Sequence, residues 1–205
     1  MTKLLLIRHG LTAYNLGMRI QGSIEARLVL QGRKQARDLG LRLRGEKIDA
    51  IYSSGMERAI MTAREVQKHH SHLLLSSTPE LNERSFGEFE GKTIRHARRL
   101  EPRLLAIENY VDFDYMPKGG ESWRHVQRRA MGAIRRIIKA HPVGTVAVVA
   151  HGGTNRVILS SLIGLPLRKI AVFRQNNACV NILEIEGRKV RLKLLNDTGH
   201  TISDY

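Results

Sequence analysis

The chain has 205 residues, 42% of them hydrophobic, with a formal net charge of +15 and Cys179 as its only cysteine. That length and apolar content support one hydrophobic core, so one domain over 1–205 is expected; a disordered or fibrous chain is excluded, as is an internal disulfide. The charge attracts anions, whether phosphorylated metabolites, nucleic acid or an acidic membrane, without choosing among them.

The first ten residues hold an apolar stretch too short for a membrane span, with no small-residue cleavage site after it. No membrane association and a cytoplasmic protein are therefore expected. Residues 3–8, rich in Leu and Ile and running into a Gly-containing loop, read as a buried strand. Residues 30–44 place Leu30, Ala36, Leu39, Leu41 and Leu43 among charges and read as a helix. A second strand is predicted at 48–52, a helix at 56–69 and a short third strand at 73–75. Residues 80–120 are less regular, with Phe86, Phe89, Tyr110, Phe113 and Tyr115 scattered among loops and short helices. Residues 121–140 form a long amphipathic helix, with Trp123, Val126, Ala130, Ile134 and Ile137 at helical spacing. Residues 146–150 are the most apolar strand and run into His151-Gly152-Gly153 and a helix to about Leu162. Residues 181–185 and 190–195 alternate around Gly187 and read as a hairpin.

Strands alternating with helices predict an α/β fold, a three-layer α/β/α sandwich with a mostly parallel sheet. Ligands of such sheets bind beyond the carboxyl ends of the strands. Arg8-His9-Gly10, Ser53-Ser54-Gly55 and His151-Gly152-Gly153 each follow a predicted strand, so these three polar loops are expected to meet at one sheet edge.

A neutral imidazole such as that of His9 is a competent nucleophile toward phosphorus, and the neighbouring Arg8 can hold phosphate oxygens in a fork. For a lone histidine, a capping or core role is the commoner one. Arg58, near the start of a helix that follows a strand, lies where helix N–H groups point at an anion. His151 is followed by two glycines that let backbone approach a ligand. Two histidines and two arginines at one edge suit a phosphoryl group, whose transfer depends on positioning and charge stabilisation. No Gly-x-x-x-x-Gly-Lys-Ser/Thr run occurs, which disfavours triphosphate binding of that type. Glu83, in a Gly-containing region with aromatic neighbours, is a candidate general acid, since apolar surroundings and a bound dianion raise a carboxyl pKa. The spacing equally fits a surface carboxylate paired with Arg84, and alone favours it.

Taken together, these segments resemble the histidine phosphatase superfamily, the phosphoglycerate mutase-like group, over nearly the whole chain. Arg8-His9-Gly10-Leu11-Thr12-Ala13-Tyr14-Asn15 is similar to its Arg-His-Gly-x-Thr-x-x-Asn signature. Gln21-Gly22 and Gly32-Arg33-Lys34-Gln35-Ala36 fall where the family has similar residues. Tyr52 to Ala59 with Thr62-Ala63 resembles its second phosphate-binding segment, and Leu81-Asn82-Glu83 with Phe86-Gly87 and Glu90-Gly91 its acid loop. Gly119-Gly120-Glu121-Ser122 and Val148 to Gly153 complete the set in family order.

The resemblance implies a phosphoglycerate mutase-like fold, with residues 84–125 as an insertion over the active site. It implies His9 as the phosphorylated nucleophile and Glu83 as the acid and then the base, with His151 as the third catalytic residue. Arg8, Asn15, Gln21, Arg58 and Gly152 would bind the substrate phosphate. No metal and no cofactor are implied, and the partner is a small phosphorylated metabolite. Leu11 stands where many members have Glu, and Gly55 where many have Pro. Arg27 and Val29 replace the usual Pro and Thr, so the following helix loses a side-chain cap.

The implied reaction is hydrolysis of a small phosphate monoester through phosphohistidine. The alternative is a cofactor-dependent phosphoglycerate mutase, whose members tend to be longer. The ending Leu195 to His200 resembles broad-specificity and alpha-ribazole-phosphate phosphatases. A basic nucleic-acid-binding module is a remoter alternative, since aromatic residues are only 5% and show no stacking pattern. His69-His70-Ser71-His72 has no local carboxylate or Cys cluster and reads as a helix end rather than a metal site. Cys179 reads as a small buried residue. Arg124, Arg128, Arg135 and Lys139, with the arginines of 95–103, read as a solvated face able to steer an anion.

Overall fold

Leu4, Leu5, Leu6 and Ile7 are all without solvent exposure because their strand is covered on both sides. The computed structural model describes residues 1–104 and 112–204. Its strands are β1 (Thr2–Arg8), β2 (Ala50–Ser53), β3 (Leu75–Ser77), β4 (Gly144–Ala150), β5 (Val180–Glu186) and β6 (Lys189–Asp197). The helices are α1 (Ala13–Leu16), α2 (Leu30–Leu43), α3 (Glu57–Gln67), α4 (Ile94–Leu100), α5 (Trp123–Ala140) and α6 (Gly152–Leu162).

The six strands form one sheet in the order β3-β2-β4-β1-β5-β6. The β3/β2, β2/β4 and β4/β1 pairs are parallel, while β5 adds antiparallel to β1 and β6 to β5. Strand pleating sends Leu4 and Leu6 to one face, with Ile134 and Ile137 of α5 and Ile158 of α6. It sends Leu5 and Ile7 to the other, with Leu39 and Leu43 of α2 and Ala59, Ala63 and Val66 of α3. The expected three layers and mostly parallel sheet are therefore present.

Local chemistry explains several boundaries. Ser122 Oγ accepts from His125 N at 3.3 Å and starts α5. Val29 leaves α2 without a side-chain cap, as its identity implied. The third strand lies at Leu75–Ser77 rather than 73–75, because Leu73 N donates back to His70 O in a turn and Leu74 faces solvent. The second strand likewise starts at Ala50 rather than residue 48. The edge strand β6 turns Lys189, Arg191 and Lys193 outward.

Between β3 and α5 the described chain winds through short 3-10 turns and α4. Ile20, Phe86, Phe89, Ala97, Leu104, Trp123, Val126, Val157 and Ile170 pack there as a third apolar cluster. Tyr110 lies outside the described residues. Among those described, no helix is long and apolar enough to cross a membrane.

Candidate active site

Sheet register decides which residues meet. Arg8 pairs with Ala150 and Ser53 with Val149, so β1, β2 and β4 end together. His9 N then donates to Ala150 O at 3.1 Å, and Ser54 N to Val149 O at 3.0 Å. His9, Ser54 and His151 leave the sheet side by side, and the His9 and His151 ring centroids lie 5.1 Å apart.

Each imidazole has a defined tautomer. His9 Nδ1 lies 2.7 Å from Gly10 O, which can only accept, so Nδ1 carries the proton. Burial, then the charges of Arg58 and Arg8, hold His9 well below the ordinary imidazole pKa. The ring is therefore neutral at physiological pH, with a free lone pair on Nε2. His151 is the mirror case. Arg58 Nε donates to its Nδ1 at 3.2 Å, so its proton sits on Nε2, 2.7 Å from Ser54 Oγ. Burial and Arg58 also hold His151 well below the ordinary value.

Arg58 is almost without exposure, and its Nη1 and Nη2 donate to Ile24 O and Gly22 O at 2.9 and 2.8 Å. Burial lowers its pKa to about 10, which still leaves it charged. Arg8 Nη1 donates to Gln175 O, while its Nε is buried without a partner among the described residues. An orphaned guanidinium N–H at a cavity wall suits an incoming oxyanion.

Glu83 is not paired with the Arg84 side chain. Arg84 turns inward, where its guanidinium donates to Glu121 O, Leu104 O and Tyr115 O and lies 4.6 Å from the Trp123 ring. Glu83 reaches the start of α6 instead. Its Oε2 accepts from Gly153 N at 2.9 Å, and its Oε1 from Thr154 N, Thr154 Oγ1 and Arg84 N at 3.1, 3.2 and 3.0 Å. The carboxylate thereby caps a helix whose own N-cap residue, His151, makes no side-chain cap bond. Gly153 makes this approach possible: a Cβ there would lie 2.7 Å from Glu83 Oε1 and 2.8 Å from Trp123 Cη2.

Arg8, His9, Asn15, Gln21, Arg58 and Glu83 line one cavity of about 140 Å³. Gly152 lies in an adjoining cavity of about 500 Å³ that shares Arg8, Glu83, Phe86 and Ile94. As the first residue of α6, Gly152 carries an N–H unused by the helix. The sequence-predicted residues thus come together, although His151 is fully buried and reaches the cavity only through Arg58 and His9.

Asn15 Oδ1 accepts from Thr12 N at 3.2 Å and from Asn177 Nδ2 at 3.0 Å; Gln21 Oε1 accepts from Thr12 Oγ1 at 2.9 Å. Residues to which the sequence assigns no individual role support the set. Ser54 holds His151, Thr62 Oγ1 accepts from Gly10 N at 3.0 Å, and Asn177 Nδ2 donates to His9 O at 3.2 Å. Gly55-Met56 after Ser54 gave no hint of its role, but Asn176-Asn177 beside a buried strand was a readable polar cluster. Elsewhere, His70 Nε2 bonds Leu43 O at 3.0 Å, and among the described residues no group of three His, Cys, Asp or Glu comes together to hold a metal.

The profile of the Histidine phosphatase superfamily (branch 1) matches residues 4–198. The chain is 32% identical to the metal-independent phosphoserine phosphatase of Arabidopsis thaliana, over 98% of this chain and 84% of the relative. It is also 32% identical to the adenosylcobalamin/alpha-ribazole phosphatase of Escherichia coli strain K12, over 95% of each. The solved structure of Bacillus stearothermophilus YhfR superimposes with a TM-score of 0.89 at 30% identity, covering 98% of this chain and 100% of that one.

Proposed function

The chain belongs to the histidine phosphatase superfamily, and on that premise we propose that it hydrolyses a small phosphate monoester through a phosphohistidine on His9, without a metal or cofactor. The observation that carries this reading is the His9 tautomer. Its lone pair is on Nε2, in a cavity that also holds Arg8, Arg58 and Glu83.

In the first step Nε2 bonds to phosphorus as the ester P–O bond breaks. Arg8, Arg58, Asn15, Gln21 and the Gly152 N–H receive the phosphoryl oxygens, where charge develops. Glu83 gives its proton to the leaving alkoxide. Oε2 is suited to this, since it holds one hydrogen bond where Oε1 holds several. In the second step Glu83 takes a proton from water, whose oxygen bonds to phosphorus as the P–N bond breaks. Inorganic phosphate and neutral His9 result. His151, neutral and fixed by Arg58 and Ser54, acts through Arg58, whose guanidinium it orients at the phosphoryl cavity.

The relatives described above are named as phosphatases, which supports hydrolysis over mutase transfer. The reading includes a cytoplasmic enzyme whose basic surface serves small anions rather than nucleic acid. The test is p-nitrophenyl phosphate turnover in EDTA, alongside a phosphoglycerate mutase assay. Turnover with an acid-labile phosphoenzyme is expected; mutase activity without hydrolysis would overturn it.

A further inference from the structure

Arg8 enters the phosphoryl cavity from the end of β1, and its guanidinium makes one hydrogen bond with the described residues, from Nη1 to Gln175 O. On its other side it lies against Gly152, where a Cβ would come 3.3 Å from Arg8 Nε and 3.5 Å from Cζ. The direction of the fork therefore depends on where the Gln175 carbonyl points. That carbonyl belongs to the Gln175–Asn176 peptide, which is trans, so its C=O and N–H point opposite ways in one plane.

Both ends of this peptide are tied to the β5/β6 hairpin. Asn176 N donates to Asn196 Oδ1 at 2.6 Å. Asn196 presents that oxygen from an irregularity in the ladder, with φ at +52°, a left-handed conformation in which Asn is common. Its own N donates to Asn181 Oδ1 at 2.9 Å. Asn181, buried on β5, pairs reciprocally with the buried Gln175 side chain: its Nδ2 donates to Gln175 Oε1, and Gln175 Nε2 to Asn181 Oδ1, both at 2.9 Å. Asn181 Nδ2 also donates to Leu6 O at 2.8 Å, so both its donors and both its lone pairs are used. A buried amide pair satisfied to this degree specifies a single geometry. An apolar pair would fasten the loop to the sheet without orienting the peptide.

We propose that Gln175, Asn181 and Asn196 are positioning residues for the reaction. They fix the plane of the 175–176 peptide and, through its carbonyl, the direction in which Arg8 meets the phosphoryl oxygens. This rests on the reading that Arg8 binds the phosphoryl group. The three amides act through Arg8 rather than on the substrate.

The experiment measures the inhibition constant of inorganic phosphate against p-nitrophenyl phosphate turnover, with melting temperatures alongside. Arg8→Lys keeps the charge but loses the fork, and should weaken phosphate by about tenfold or more. Asn196→Gly removes the oxygen that holds Asn176 N while suiting the positive φ. It should weaken phosphate by about three- to tenfold, and Asn181→Leu, which breaks the amide pair, by about tenfold. In the Arg8→Lys background either change should add less than about a twofold loss, because the fork it directs is already gone. A merely structural role predicts the same proportional loss in both backgrounds. That outcome, or wild-type phosphate affinity in Asn196→Gly, would overturn the positioning role. Asn196 is only half-buried, so Asn196→Gly keeps the test decisive should Asn181→Leu fail to fold. Phosphate inhibition unchanged in Arg8→Lys, or no p-nitrophenyl phosphate turnover by wild type, would instead overturn the reading beneath it.

Discussion

Arg58 Nε donates to His151 Nδ1 at 3.2 Å, so a permanent cation takes the lone pair at which that imidazole would otherwise be protonated. His151 and His9 are thereby both kept neutral in a buried, arginine-rich site.

This makes stability depend on pH with a definite sign. In the unfolded chain each histidine takes a proton near pH ~6.5; in the folded chain His9 and His151 do so only well below that. Below about pH 6.5 the unfolded state binds more protons, so stability falls as pH falls, by up to about 1.4 kcal/mol per pH unit per histidine. Urea midpoints should therefore drop between pH 7 and 5.5, and His151→Gln should flatten the slope. A wild-type midpoint constant across this range would contradict the assignment.

His9→Ala removes the atom proposed to bond phosphorus. Turnover should fall to background, and no acid-labile phosphoenzyme should form after rapid quench. Retention of a phosphoenzyme in this variant would move the nucleophile elsewhere.

Glu83 matters in proportion to the leaving group's need for a proton. Glu83→Gln should slow phosphorylation by alkyl phosphates by ~10² to 10⁴-fold, but phosphorylation by p-nitrophenyl phosphate far less. Dephosphorylation would still lack its base, so phosphoenzyme should accumulate in a burst. Equal losses in the phosphorylation rate on both substrates would shift the acid role to another carboxylate of the loop, such as Glu88 or Glu121.

Gly153→Ala tests the packing that places Glu83. The new methyl would press on Glu83 Oε1 and on the Trp123 ring. A stability loss of about 1–3 kcal/mol is expected from overpacking, with a larger loss of activity on alkyl phosphates than on p-nitrophenyl phosphate. A variant matching wild type in melting temperature and in both rates would show that this contact does not hold the carboxylate.

The net charge of +15 should raise encounter rates with anionic substrates. kcat/KM should fall as salt rises toward a Debye length of about 8 Å at ~0.15 M. Tight binding of nucleic acid at that salt would favour the other use of the charge.

Much of this was legible in the chain because the chemistry sits on short-range punctuation. Arg8-His9-Gly10 and His151-Gly152-Gly153 each follow a buried apolar run, and parallel pairing brings their ends level. Glu83 was harder to place. Apart from the backbone N–H of Arg84, its donors are Gly153 and Thr154, seventy residues on, and local spacing alone favours the Arg84 side chain as partner. Arg84 instead goes under the Trp123 and Phe86 rings, a choice set by tertiary packing. Helix α1 was missed because four residues carry no periodicity; it exists through the reciprocal bonds of Thr12 and Asn15. The third strand was misplaced because an apolar triplet outweighed the turn at His70–Leu73.

Strand β6 leaves one margin of the sheet open, a row of backbone donors and acceptors on which another extended chain can template. Lys189, Arg191 and Lys193 alternate along that margin. A second copy aligning there would set cations against cations. The hairpin that completes the sheet therefore also guards it against edge-to-edge growth, and neutralising these positions should expose the protein to aggregation before it costs any catalysis.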